Sequence, residues 1–234
     1  KNNNVYIKNL ADGSITTVTT DGEKNKIING VPDWVYQEEF GILNSLKWSP
    51  SSNTLAFIRF DESQVPMYSM TMYEGDCHPN KDYSLYPGSY DYKYPVAGEK
   101  NSVVSVMAYD LATSRLQKMN LPITDNDYVP HIDYGTQDDR LMVSTLNRTQ
   151  NDLHIYAVNP ATTQATEVYA EQSTSWIDSK SANDVMYYDT FFVMPSEKSG
   201  YMHLYQYAYD GKLIKQLTSG NENVTEFYGY DKVR

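Results

Sequence analysis

Apolar and polar side chains alternate along most of the chain, in short paired runs. Val5-Tyr6-Ile7-Lys8 leads through Asp12-Gly13 into Ile15-Thr16-Thr17-Val18-Thr19. Val104 to Asp110 leads through Thr113-Ser114 to Leu116, and Leu153 to Val158 leads through Asn159-Pro160 to Thr166-Glu167-Val168-Tyr169. His203 to Tyr207 leads through Asp210-Gly211 to Leu213 to Thr218. A period of two in β-branched and aromatic residues marks half-buried strands, and a short polar turn joins antiparallel neighbours. The four pairs are copies of one hairpin. Tyr109 and Tyr156 are 47 residues apart, and Tyr156 and Tyr205 are 49 apart. Tyr6 and Tyr109 are 103 apart, close to two such periods with an insertion. A four-stranded propeller blade repeats at roughly 40–50 residues, whereas a sandwich has no reason to repeat at that interval. The apolar runs Leu55–Phe60, Leu141–Leu146 and Phe191–Met194 are expected as inner strands, the first fed by the turn at Trp48-Ser49-Pro50. The pattern predicts an all-β chain, a β-propeller of four-stranded blades forming an incomplete arc of a larger ring, with both ends as cuts in a longer protein. The only helix expected is a short one near Asp33–Phe40.

One segment breaks the period. Residues 61–100 form a long excursion rich in Tyr, Pro, Gly and Met, including Met67, Met70, Met72, Tyr83, Tyr86, Tyr90, Tyr92 and Tyr94. Aromatic and Met side chains favour an interaction surface over a disordered loop.

Composition narrows the function. The 234 residues carry a net charge of −11, which argues against a phosphate-binding surface and therefore against nucleic acid. No run of 18 apolar residues is present, so no membrane span is expected. The single cysteine, Cys77, excludes an intrachain disulfide and a multi-cysteine zinc site. Nucleophile elbows, phosphate-binding loops and dinucleotide fingerprints are absent. The four histidines are scattered; His154 and His203 sit in the hairpin repeat, where a structural role is expected, and Cys77-His78 is expected to face solvent. No cofactor, no metal ligands and no nucleophile–base pair are expected, so the chain alone is not expected to catalyse.

The chemistry concentrates at Pro32-Asp33-Trp34-Val35-Tyr36-Gln37-Glu38-Glu39-Phe40-Gly41. Asp33 is a candidate N-cap, and Trp34, Tyr36 and Phe40 can pin a short helix. Glu38 and Glu39 then project about 100° apart, given 3.6 residues per turn. Two such carboxylates can converge on one small cation, and an ammonium has three donors to satisfy. A solvated helix end is the plain alternative for a bare Glu-Glu pair.

Asp33 to Phe40 resembles the Asp-Trp-Val-Tyr-Glu-Glu-Glu motif of the dipeptidyl peptidase IV family, in the prolyl oligopeptidase clan of serine peptidases. The similarity continues through Trp48-Ser49-Pro50, Phe60 to Pro66, Tyr94 to Asn101, Leu146 to Asn151, Ser175 to Asp178 and Ser199 to Tyr205. The resemblance implies part of an eight-bladed propeller that caps an α/β-hydrolase domain, with that domain and its Ser-Asp-His triad absent here. It implies that Glu38 and Glu39 bind the free α-ammonium of a peptide N-terminus, with Gln37 at a non-ligating position. The family's propeller arginine is expected before Lys1, and nothing is assigned after Trp176. The excursion at 61–100 resembles the family's extended arm, implying a homodimer. The implied activity of the whole protein is release of Xaa-Pro and Xaa-Ala dipeptides, beyond the cytoplasm, in the periplasm or at the cell surface of a bacterium. A non-catalytic interaction propeller is the alternative. A glycan-cleaving propeller fits poorly, because its carboxylates must face each other across a sugar.

Overall fold

The computed structural model describes residues 1–73 and 87–230; Cys77, His78, Tyr83 and Tyr86 lie outside the described residues. The chain begins with a hairpin, β1 (Tyr6–Lys8) and β2 (Ile15–Thr17). The first full blade contains β3 (Ile27–Asn29), helix α1 (Trp34–Glu38), β4 (Leu46–Trp48), β5 (Thr54–Asp61), a ribbon of β6 (Met67–Met72) and β7 (Gly88–Lys93), then β8 (Val103–Asp110) and β9 (Arg115–Lys118). The second is β10 (Tyr128–Tyr134), β11 (Leu141–Leu146), β12 (Asp152–Val158) and β13 (Ala165–Gln172). Helix α2 (Ser179–Asn183) precedes the third, β14 (Met186–Tyr187), β15 (Phe191–Ser196), β16 (His203–Ala208) and β17 (Leu213–Gln216). Each blade is an antiparallel sheet in chain order, and the first places β3 and β4 on the same edge of β5.

Stacking of blades explains why the second strands read as continuous apolar runs. In β5, Leu55 and Phe57 face the hairpin with Val5, Val18 and Tyr109. The alternate residues Ala56, Ile58 and Phe60 face the second blade and join the main core. A strand covered on both faces has no solvent side to leave polar. β11 is buried along its whole length for the same reason. The fourth strands are the outer edges, and Leu213 and Ile214 of β17 are exposed. Between the second and third blades, the Lys198 ammonium lies 6.0 Å from the ring of Tyr169 in β13 while sitting 4.0 Å over Tyr205 and 4.8 Å over Tyr207 of its own blade. The single Ser196 hydroxyl donates to the Glu171 carboxylate of β13, its Oγ 2.8 and 2.9 Å from the two carboxylate oxygens, joining the same two blades.

Three expectations change in detail. Leu55–Phe60, Leu141–Leu146 and Phe191–Met194 are second strands; the innermost positions belong to β3 with β4, to β10 and to β14. These strands are short or carry polar and proline residues (Pro130 and His131 in β10), so alternation is faint there. The interval from Tyr6 to Tyr109 is one blade period, not two. Two insertions lengthen it: residues 31–44 inside the innermost strand, and the stretch between Asp61 and Val103 that contains the ribbon. Finally, α2 has no counterpart in the periodicity, because five residues are too few to show one.

The innermost strand of the first blade is interrupted. β3 pairs with Arg59 to Asp61, and β4 with Leu55 to Phe57, of the same strand β5. At the seam, Gly30 N–H donates to Ile58 O at 2.9 Å, and Ile58 N–H donates to Ser45 O at 3.0 Å. Gly30 has φ +73°, and a Cβ there would meet Leu46 Cδ2 at 2.8 Å. Both constraints demand glycine. Residues 31–44 therefore leave the strand and return to it with the ladder to β5 intact.

Phe192 is fully buried and its ring packs on Tyr207 at 5.5 Å and Tyr209 at 5.8 Å. Phe192→Ala is expected to cost about 3–5 kcal/mol in urea unfolding. Leu213→Ala, at an exposed edge position, is expected to change stability by less than about 0.5 kcal/mol.

Candidate functional site

The insertion at 31–44 carries the helix that holds both acidic candidates. A five-residue helix has little stability of its own, so its position is set by what it touches. Asp33 caps its start: Oδ1 accepts from Tyr36 N–H at 3.0 Å, and Oδ2 accepts from Ser102 Oγ at 2.6 Å. Tyr36 is only 1% exposed and anchors the helix in the core. Its ring meets Phe60 edge-on at 4.9 Å and Phe40 at 5.3 Å. Its hydroxyl oxygen accepts from Val129 N–H of β10 at 2.8 Å, tying the helix to the second blade. At the other end, Gly41 turns with φ +66°, Ile42 N–H returns to Tyr36 O at 3.0 Å, and Asn183 Nδ2 of α2 donates to Phe40 O at 3.1 Å.

This scaffold leaves Gln37, Glu38 and Glu39 exposed. Glu38 is the last helical residue and Glu39 keeps helical backbone at φ −86°, ψ −35°, so the expected 100° offset applies. Gln37 turns back instead, its Nε2 donating to Pro32 O at 2.7 Å. Neither Glu38 nor Glu39 has a hydrogen-bonding or ion-pairing partner among the described residues. The result is two adjacent carboxylates on a pinned support, both free to accept. Beside them, Tyr128 of β10 accepts from Asn101 Nδ2 at 2.6 Å, and burial raises its hydroxyl pKa. Glu39 raises it further, while Arg148, which donates to Glu99 O, lowers it. A cavity of about 480 Å³ adjoins the helix C-terminus, lined by Phe40, Leu43, Lys47, His131 and Asn183 among others.

Asp33, at the helix start, and Glu62, just after β5, are buried carboxyls that local pattern did not single out as a pair. Burial raises the Asp33 pKa, opposed by its bonds from Ser102 and Tyr36. Glu62, only 6% exposed, is pushed up to about 7, first by burial and then by the charge of Asp33, with Lys93 opposing. A Glu just after an apolar strand reads as a solvent residue, so no local signal marked it. Ser102 likewise gave no signal.

The histidines are structural where described. His154 lies between Glu167 Oε2 at 2.8 Å and Asp152 Oδ1 at 3.1 Å, on an outer hairpin. Buried His203 bonds to Thr218 Oγ1 and Gly220 O. Burial pushes His131 down to about 4, so it is neutral at neutral pH. No cluster of three or more metal-ligating side chains occurs among the described residues. No described helix is long and apolar enough to cross a membrane.

Fold and site together define a β-propeller module that presents a pair of unpartnered carboxylates on a helix inserted into an inner strand. Residues 1–234 match the family described as the dipeptidyl peptidase IV (DPP IV) N-terminal region, and the chain belongs to that family. It is 31% identical over 239 residues to dipeptidyl peptidase 4 of Trichophyton rubrum, covering 98% of this chain and 30% of that protein. It is 29% identical over 241 residues to prolyl endopeptidase FAP of Bos taurus, covering 93% of this chain and 30% of that one. The crystal structure of Porphyromonas gingivalis dipeptidyl peptidase 4 superposes with a TM-score of 0.92 at 40% identity, over 99% of this chain and 32% of that chain. The chain thus spans 30–32% of these relatives' lengths. Its relatives include named peptidases, which are hydrolases.

The raised pKa of Glu62 has a signed consequence. The folded chain holds this proton more tightly than the unfolded chain does, so ionisation opposes folding. The stabilisation is full below about pH 4.5 and is lost as pH rises through about 7. Glu62→Gln stays neutral, so its melting temperature is expected to gain on wild type between pH 5 and pH 8. A pH-independent difference in thermal melts would show that Glu62 ionises without opposing folding.

Proposed function

We propose that this chain is the substrate-gating, N-terminus-recognising propeller of a longer serine exopeptidase that releases Xaa-Pro and Xaa-Ala dipeptides. The observation that carries this reading is the exposed, unpartnered pair Glu38 and Glu39 on a helix held at both ends. A peptide α-ammonium offers three donors and one charge. Two converging carboxylates accept from it with charge-assisted bonds, stronger than neutral ones. Fixing the ammonium fixes the distance along the peptide to the scissile bond, so a dipeptide is the unit released. Holding that geometry lowers the barrier by orientation alone. The nucleophile and its base, acting through an acyl-enzyme, would lie in a hydrolase domain outside residues 1–234, and this chain alone is inactive. That division accords with a chain spanning about a third of its relatives. The reading also places the protein beyond the cytoplasm.

The arm supplies the partner. Cross-strand pairing puts Tyr68 opposite Tyr92 and Met70 opposite Tyr90 on one face of the ribbon. Ser69 opposite Asp91, and Thr71 opposite Ser89, fall on the other. An isolated two-stranded ribbon is at best marginal in water, and one apolar face calls for a cover. A second copy of the chain is that cover in this reading. The same face favours a second reading, an interaction propeller without peptidase activity.

In the full-length protein, Glu38→Ala or Glu39→Ala is expected to lower kcat/KM for free-amine dipeptidyl substrates about 10- to 100-fold each, the scale of a lost charge-assisted bond. Activity within twofold of wild type would overturn the assignment. Labelling of the native protein by a serine-directed fluorophosphonate is expected, and its absence would favour the interaction propeller. Met70→Asp is expected to shift the sedimenting species from dimer to monomer, and an unchanged species would remove the arm from the contact.

A further inference from the structure

We infer that Tyr94, at the base of the arm, is a positioning residue for Glu38. This rests on the ammonium-binding reading above and adds the element that aims the helix. Tyr36 and Phe40 hold α1 from the core side. On the arm side, the contact is the indole of Trp34, which Tyr94 meets edge-on with ring centroids 4.2 Å apart. Trp34 and Glu38 are four residues apart on a helix, so they stand one above the other on the same face. The ring that braces Trp34 therefore braces the face that carries Glu38.

Tyr94 is itself well fixed. Its N–H donates to Pro66 O at 3.1 Å. The neighbouring Lys93 ammonium donates to Val65 O at 2.6 Å, clamping the two strands of the arm where they leave the blade. The Tyr94 ring then continues into Tyr68 at 5.3 Å and Tyr92 at 6.1 Å, and Tyr92 into Tyr90 at 5.6 Å. A row of aromatic rings thus runs from the apolar face of the ribbon to the first residue of the recognition helix. The edge-on contact at 4.2 Å leaves little slack between Tyr94 and Trp34, so a displacement of one ring displaces the other. Contacts made by the arm fix Tyr94, Tyr94 fixes Trp34, and Trp34 fixes the direction of Glu38.

The experiment uses the full-length enzyme and four variants: Tyr94→Ala, Tyr94→Phe, Glu38→Ala and the double variant Tyr94→Ala/Glu38→Ala. Tyr94→Ala is expected to lower kcat/KM for free-amine dipeptidyl substrates about tenfold, on the scale of small misplacements of an orienting group. The rate of fluorophosphonate labelling, which needs no ammonium, is expected to stay at the wild-type value. Tyr94→Phe keeps the ring and is expected to restore wild-type kinetics. In the Glu38→Ala background, Tyr94→Ala is expected to add nothing, since the two act through one carboxylate. Tyr94→Leu, which keeps apolar bulk without the ring, replaces the alanine variant if that one fails to fold, and is expected to show the same tenfold loss. Additive losses in the double variant, an equal loss of fluorophosphonate labelling, or kcat/KM within twofold of wild type for Tyr94→Ala would overturn the role of Tyr94. A silent Glu38→Ala would overturn the ammonium site, and this inference with it.

Discussion

The site depends on a seam of backbone hydrogen bonds. Gly30 and Ser45 both pair with Ile58, so the innermost strand of the first blade stops and resumes on one template. Buried backbone groups must be paired wherever they go. A helix inserted into a sheet would normally strip the neighbouring strand of partners. Here β3 and β4 together cover one edge of β5, and the sheet loses little. That economy allows fourteen residues to project from the interior edge of a blade with their ends fixed a single step apart. The helix does not need intrinsic stability, because its two ends share one strand position.

Four carboxyls in and around this insertion show how environment divides identical chemistry. Glu38 and Glu39 stand in solvent on the outer turn and keep their lone pairs free. Asp33 spends its oxygens on Tyr36 N–H and Ser102, serving the backbone. Glu62, buried near Asp33, holds its proton up to about pH 7. The exposed pair keeps its lone pairs unpartnered among the described residues, whereas burial raises the pKa of both Asp33 and Glu62. Burying two fully charged carboxylates near each other would face the cost of uncompensated interior charge, and at Glu62 Lys93 offsets part of it.

Much of this was legible in the sequence because the physics was local. The hairpins announced themselves by alternation, and the Asp33 cap with its aromatic pins announced α1, which forms over Trp34–Glu38. The capped helix sets the angle between Glu38 and Glu39, but only the resemblance to the family motif set them apart from a solvated helix end. What stayed hidden was non-local. The 103-residue interval resembled two periods because both insertions fall inside one blade, and nothing in spacing distinguishes an added blade from added loops. β10 escaped because Pro130 and His131 break its pattern. Glu62 and Ser102 meet Asp33 only after β5 and β8 pair, so no window of sequence contains the cluster. The ring contact between Trp34 and Tyr94 joins residues 60 positions apart and is equally beyond any local window.

The bond from Val129 N–H to the Tyr36 hydroxyl joins residues 93 positions apart, and it bears on the order of assembly. The acidic helix lies early in the chain, yet its anchor is supplied by the second blade. At a synthesis rate of 5–20 residues per second, Val129 emerges about 5–20 seconds after Tyr36. Until then the helix has neither its deepest contact nor a closed core beneath it. Non-local contacts of this kind form late, since chain closure must come first. The paired acidic turn is therefore complete only once two neighbouring blades have docked. The geometry of this turn thus reports that the first two blades have docked, and an intermediate lacking the second blade presents Glu38 and Glu39 on a segment without its deepest anchor.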